Sequence, residues 1–183
     1  MKELSLNILD IAQSSIQAGA VHLTIALERD GRWLRITITD DGRGMSPEFL
    51  RQAADPFTTS RTTRSVGMGL PLFKLAAEQT GGTLSIESRQ AAAPGDAHGT
   101  TVTATFDTDH EDCEPLGDIA STVVTLIQGN PDLSLTYLER ANGAEQTLST
   151  DEMRQTLGAD VPLNSPDVLA WAREYLEEMT LAE

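Results

Sequence analysis

The chain opens with a helical repeat of apolar and polar positions. Ile8, Leu9, Ala12 and Ile16 fall on one side of a helical projection. Asp10, Ser14 and Gln17, spaced three to four apart, fall on another. This spacing predicts a helix from about Glu3 to Ala18, stopped by Gly19. The period then changes to two. VHLTIALER and RWLRITITD alternate, are rich in Val, Ile and Thr, and flank Asp30-Gly31, a two-residue hairpin signal. A short helix is expected after Ser46-Pro47-Glu48, which has a capping hydroxyl and Pro at the first helical position. ADPFTTSRTTRSVGMG is a polar loop. GLPLFKLAAEQT has helical spacing up to Gly81-Gly82. TLSIESR and TTVTATFD read as strands on either side of the loop QAAAPGDAHG.

DTDHEDCEP, residues 107–115, looks like a boundary. Beyond it, LGDIASTVVTLIQG is a predicted helix. LSLTYLER and AEQTLST flank Ala141-Asn142-Gly143 as a second hairpin. Helices start at Thr150-Asp151-Glu152 and Ser165-Pro166-Asp167, the last ending near Met179. The order over 1–107 is α-ββ-α-α-ββ. It implies an α+β fold: helices on one face of a largely antiparallel sheet, a two-layer α/β sandwich. Residues 116–183 add a small α-ββ-αα extension.

Composition narrows the class. Of 183 residues, 39% are apolar and 22% charged, as in a globular protein. No apolar run reaches membrane-spanning length, and MKELSLNILDIAQ lacks the pattern of a secretory signal. The lone cysteine, Cys113, has no internal partner, so a reducing, cytoplasmic setting is expected. Net charge is −15 and uneven. Residues 1–106 hold 10 Lys/Arg and 11 Asp/Glu; residues 107–183 hold 3 and 17. Such acidity disfavours nucleic acid and anionic membranes as partners. It reads first as a solvated surface, and second as a docking surface for a basic partner.

Four short pieces carry the candidate chemistry. The first is the polar stripe of the opening helix. The second is Asp40-Asp41-Gly42-Arg43-Gly44 at a strand end, where a fixed carboxylate can accept from an exocyclic amine and glycines let a flat ring approach. The third is Gly67-Met68-Gly69 at a helix start, preceded by hydroxyls and by Arg61 and Arg64. Free N–H groups and the helix dipole there favour an anion. The fourth is Gly99-Thr100-Thr101, entering a strand. In this order the pieces resemble the N, G1, F, G2 and G3 boxes of the GHKL superfamily of histidine kinases, gyrase, Hsp90 and MutL. KELSLNILDIAQSSIQAGA is similar to the N box, ITITDDGRGM to G1, DPFTTSRTTRSVGMGLPLFKLAAEQTGG to F and G2, and HGTTVTATF to G3. The likeness spans about residues 2–107. Small stand-alone bacterial members of this kind also carry a PLGDIA-type segment and an acidic tail, as in Pro115 to Ala120 here.

The resemblance implies a Bergerat ATP-binding fold, with ATP and Mg²⁺ as cofactors. It implies that Asp40 binds the adenine amino group and that Gly42 and Gly44 line the base. Gly67, Gly69 and Leu70 would hold phosphates. Thr100 would reach adenine directly or through water, and Phe57 would anchor the lid. Arg61 or Arg64 would contact the terminal phosphate, or stand in a solvated loop. Asp10 aligns with the family's general base, usually Glu, and Ser14 with the Asn that ligates Mg²⁺. Both side chains are shorter than the family's, which implies nucleotide binding retained, metal grip weakened and turnover left open. None of His22, His98 and His110 lies on a predicted helix, where a phosphoacceptor histidine belongs, so a self-contained histidine kinase is not expected. Three roles stay open: an ATP-binding regulatory module acting on an unidentified protein partner, with or without protein-kinase activity of serine or histidine type; an ATP-hydrolysing switch; and a nucleotide-binding protein without turnover.

Overall fold

A computed structural model describes residues 3–55 and 69–179. Helix α1 (Leu4–Gln17) leads into strands β1 (His22–Asp30) and β2 (Trp33–Asp40), then short helix α2 (Pro47–Gln52). After the undescribed stretch come α3 (Gly69–Glu78), β3 (Leu84–Arg89) and β4 (Gly99–Asp107). The rest forms α4 (Ile119–Gly129), β5 (Ser134–Ala141), β6 (Ala144–Ser149), α5 (Thr150–Leu157) and α6 (Pro166–Glu178). Turn and cap chemistry sets several boundaries as expected. Ala141 pairs with Ala144 across Asn142-Gly143. The side chains of Ser46, Asp118 and Ser149 each accept from a backbone N–H three residues on, capping α2, α4 and α5.

The six strands form one sheet in the order β3-β4-β2-β1-β5-β6. Alternation decides its two faces. Leu23, Ile25 and Leu27 of β1, Ile36 and Ile38 of β2, Val102, Ala104 and Phe106 of β4, and Leu135 and Tyr137 of β5 are buried. Helices α1, α3, α4 and α6 contribute the facing layer, with Leu4, Ile8, Phe73, Val123, Ile127, Ala172 and Leu176 in the same core. Threonines fill the outward positions: 24, 37, 39, 101, 103, 105 and 136 are half-buried or exposed. This is the two-layer α+β architecture expected of the fold.

The C-terminal extension continues that sheet. Strand β5 lies parallel to β1, from His22↔Ser134 to Arg29↔Ala141, while every other pairing is antiparallel. The segment before α4 also caps α1. The N–H groups of Leu4 and Ser5, which have no partner within their own helix, donate to the carbonyls of Pro115 (2.9 Å) and Leu116 (2.8 Å). Thr122 of α4, itself buried, donates to the Ser5 carbonyl at 3.0 Å. Gly117 turns the chain at φ 79°, a conformation side chains disfavour, with Glu3 packed where its Cβ would stand. β5 also places one acid on its core face. Glu139 is 6% exposed, and burial pushes its carboxyl up to about 7 although the Tyr137 hydroxyl pulls it down.

Candidate functional site

The site forms where α1, the end of β2 and the start of α3 meet. On α1, Asp10 and Ser14 share a face one turn apart. The Ser14 hydroxyl donates to the Asp10 carbonyl at 3.2 Å, a back-bond that leaves its lone pairs available. Burial raises the Asp10 carboxyl above its ordinary value. Gly69, the first residue of α3, packs directly on this face: a Cβ placed there would lie 3.5 Å from the Asp10 Cβ and 3.7 Å from Ile11 Cγ1. The first-turn amides of α3 therefore stand beside Asp10.

Asp40 ends β2 with both carboxylate oxygens held. Oδ1 accepts from the Gly42 N–H at 2.8 Å, and Oδ2 accepts from the Ser15 hydroxyl at 2.6 Å. Each oxygen keeps a second lone pair for an outside donor. Ser15 is buried and fixed on α1, so the carboxylate has one orientation. Asp41 serves the backbone instead. It accepts from the amides of Val21 and His22 at 2.8 and 2.9 Å and meets the His22 ring at 2.7 Å.

The chain after Asp41 is pinned on both sides. The Arg43 N–H donates to the Ala18 carbonyl at 2.9 Å, and its guanidinium to the Gln17 carbonyl at 3.1 Å. His98 Nδ1 lies 2.6 Å from the Gly42 carbonyl oxygen. Gly44 has φ 77°, and a Cβ there would stand 2.1 Å from the Arg89 carbonyl oxygen, so only glycine passes. Ser88 of β3 ties the loop before α2 to β4: its hydroxyl accepts from the Met45 N–H at 2.8 Å and lies 2.7 Å from Thr100 Oγ1.

These contacts enclose a cavity of about 90 Å³. Its walls are apolar, from Ile11, Met45, Leu70 and Val102. Its polar groups are Asp40, Thr100, Ser14 and Ser15. A wider cleft of about 380 Å³ shares Ser14, Ala18 and Met45 with it and adds Arg43, Gly44 and Phe49. A slot with flat apolar walls and one oriented acceptor suits a heteroaromatic base with an exocyclic amine.

The expected residues Asp10, Ser14, Asp40, Gly42, Gly44, Gly69, Leu70 and Thr100 thus meet around one site. Leu70 lines the cavity with its side chain. Arg61, Arg64, Gly67 and Phe57 lie outside the described residues. Sequence reasoning missed Ser15, Ser88, Met45 and His98. Ser15 adjoins Ser14, and only the way α1 crosses β2 shows which hydroxyl reaches Asp40. For a metal the donors are few. Among the described residues no cluster of three or more His, Cys, Asp or Glu could hold one. Asp10 and Ser14 offer side-chain oxygens one turn apart on this face, and Mg²⁺ beside phosphates commonly takes only one or two from the protein. The donor set fits on those terms.

Comparison with known proteins identifies the family. A family profile described as "Histidine kinase-, DNA gyrase B-, and HSP90-like ATPase" matches residues 1–110. The "Tetrathionate sensor histidine kinase TtrS" of Salmonella typhimurium is 36% identical over 113 residues, 62% of this chain and 18% of the relative. The "Non-motile and phage-resistance protein" of Caulobacter vibrioides is 33% identical over 120 residues, 61% of this chain and 14% of that one. The chain spans less than a fifth of the length of these relatives. Among solved structures, "Aquifex aeolicus MutL ATPase domain complexed with ADP" superposes with TM-score 0.55 at 14% identity, over 86% of this chain and 68% of that one.

Proposed function

Because the chain belongs to the histidine kinase-, DNA gyrase B- and HSP90-like ATPase family, we propose that its α1–β2–α3 site binds ATP and that the bound nucleotide controls a protein partner. The observation that carries this reading is the Asp40 carboxylate, held by Ser15 and Gly42 at the mouth of an apolar slot. Asp40 accepts the adenine amino group. Ile11, Met45, Leu70 and Val102 exclude water from the ring faces. Thr100, tied to Ser88, presents a hydroxyl at the ring edge. The α3 amino end, with Gly69 and Leu70, favours the phosphates through its free N–H groups and dipole. ATP would supply the transferable phosphoryl group when bound, and Ser14, with the Asp10 carboxylate one turn away, would help hold Mg²⁺, a weaker grip than the family's because the side chain is shorter. No helix among the described residues is long and apolar enough to cross a membrane.

A hydrolytic switch is the second reading, favoured by one observation. Burial raises the Asp10 carboxyl above its ordinary value beside the α3 amino end, the direction that suits a general base. Calorimetric titration with an ATP analogue and with ADP, each with and without Mg²⁺, tests the leading proposal. Binding that is strengthened by Mg²⁺, and strengthened further in Ser14→Asn, supports it. Absence of adenine-nucleotide binding overturns it. Phosphate release from ATP by the chain alone, lost in Asp10→Asn, supports the hydrolytic switch.

A further inference from the structure

The last third of the chain builds a second concavity, on the far edge of the sheet. Edge strand β6 and helices α5 and α6 enclose a groove of about 350 Å³. Its floor and walls are Leu148, Met153, Leu157, Trp171 and Tyr175. Trp171 and Tyr175, one turn apart on α6, stack with ring centroids 5.3 Å apart. The Tyr175 hydroxyl donates to the Thr147 carbonyl at 3.0 Å and fixes α6 against β6. The aromatic pair is therefore rigid, yet Trp171 is 49% and Leu157 39% exposed. Buried, either would strengthen the fold; both instead face the same open groove. Rigid, half-exposed aromatic anchors beside an apolar pocket are the features of a recognition surface.

Charge identifies the occupant. Strand β6 and helices α5 and α6 carry seven carboxylates and two arginines. Both arginines are committed within the fold. Arg154 binds Asp151 at 2.9 Å and the carbonyls of Pro131 and Leu133; Arg173 binds the Ser121 hydroxyl at 2.9 Å. Glu152 lies on the groove wall itself. An apolar trough with Glu152 on its wall, built from elements of net negative charge, selects a segment with one apolar face and one cationic face. The geometry points to a docking groove for a basic amphipathic helix of a protein partner. Its apolar side chains enter between α5 and α6 over Trp171, and its Lys and Arg side chains meet the surrounding carboxylates. This gives the proposed regulatory role its partner side, and its test needs no nucleotide.

The test uses the full chain carrying Trp33→Phe, which leaves Trp171 as the sole tryptophan. The probes are a synthetic Leu/Lys amphipathic helical peptide and its Leu/Glu counterpart. The expected result is a saturable blue shift of Trp171 fluorescence with the Leu/Lys peptide alone, weakening about tenfold as salt is raised past the screening range. By calorimetry, Trp171→Ala and Leu157→Ser each weaken binding by roughly tenfold or more, with unchanged melting temperature. Equal binding of both peptides, or of the Leu/Lys peptide to wild type and both variants, overturns the inference, because attachment is then nonspecific or elsewhere. A self-association of the chain that Leu157→Ser disperses also overturns it, assigning the groove to a second copy.

Discussion

In the proposed function, Asp40 is the residue on which nucleotide recognition turns. Its two oxygens are pre-oriented by Ser15 and Gly42, so a donor arriving from a base finds a fixed acceptor. Asp40→Asn keeps the size but removes the charge and half of the acceptor capacity. It should weaken ATP-analogue binding by about 10–100-fold, the cost of one hydrogen bond to a charged group, while circular dichroism stays unchanged. Gly44→Ala acts on stability instead. Its methyl meets the Arg89 carbonyl at a positive φ, so the loop must move. A loss of about 2 kcal/mol is expected, seen as a melting temperature lower by about 4–8 °C. Both residues were legible because the acid and spaced glycines at a strand end stand in order with three other pieces; alone, the pattern is common to many turns. Ser15, Ser88 and His98 were not. Each contributes through a contact across elements, to Asp40, Thr100 and Gly42 respectively, and no local spacing encodes such a contact.

At the scale of elements, strand β5 holds the sharpest electrostatic feature. LSLTYLER alternates cleanly, and its period places Glu139 on the face of Leu135 and Tyr137. The pattern identifies the strand correctly but gives no hint that an acid is tolerated in the core. The burial has a pH signature. Glu139 titrates near 7 in the fold, against an ordinary 4.5, so between those values the folded chain holds a proton that the unfolded chain has lost. Its contribution is fully present below about 4.5, declines as pH rises toward 7, and stays low above. Glu139→Gln should remove this decline. Urea titrations from pH 5 to 8 should show the variant gaining on wild type through that window, by roughly 1–3 kcal/mol at the alkaline end. Hairpins and caps were the most readable elements, because Asp-Gly, Asn-Gly and Ser-Pro each specify a backbone geometry locally.

At the scale of the whole molecule, the parallel β1–β5 ladder and the capping of α1 by Pro115 and Leu116 join the first and last thirds into one sheet and one core. Nothing in either segment advertises the other. Hydrophobic period shows which face of a strand is buried, not which distant strand lies beside it. Hence the composition break at 107–115 drew attention as a boundary while the pairing across it stayed invisible. A chain ending at residue 107 would bare the β1 edge and leave two α1 amides uncapped. It should be largely insoluble or should lack a cooperative urea transition. The full chain should unfold with coincident transitions by circular dichroism and by tryptophan fluorescence, since Trp33 and Trp171 report from opposite ends of the sequence.

The same ladder has a consequence for how the protein comes into being. During synthesis β1 emerges early, meets β2 across a tight turn and then waits, because its other neighbour is encoded beyond residue 133. Until the ribosome has delivered β5, the nascent chain presents a hydrophobic strand with an open backbone edge, the state most prone to wrong pairing with other chains. The nucleotide helix waits with it, since the carbonyls that cap α1 arrive only with residues 115 and 116. Completion of the α1–β2–α3 site thereby comes late in synthesis, after the segment that caps α1 has been delivered.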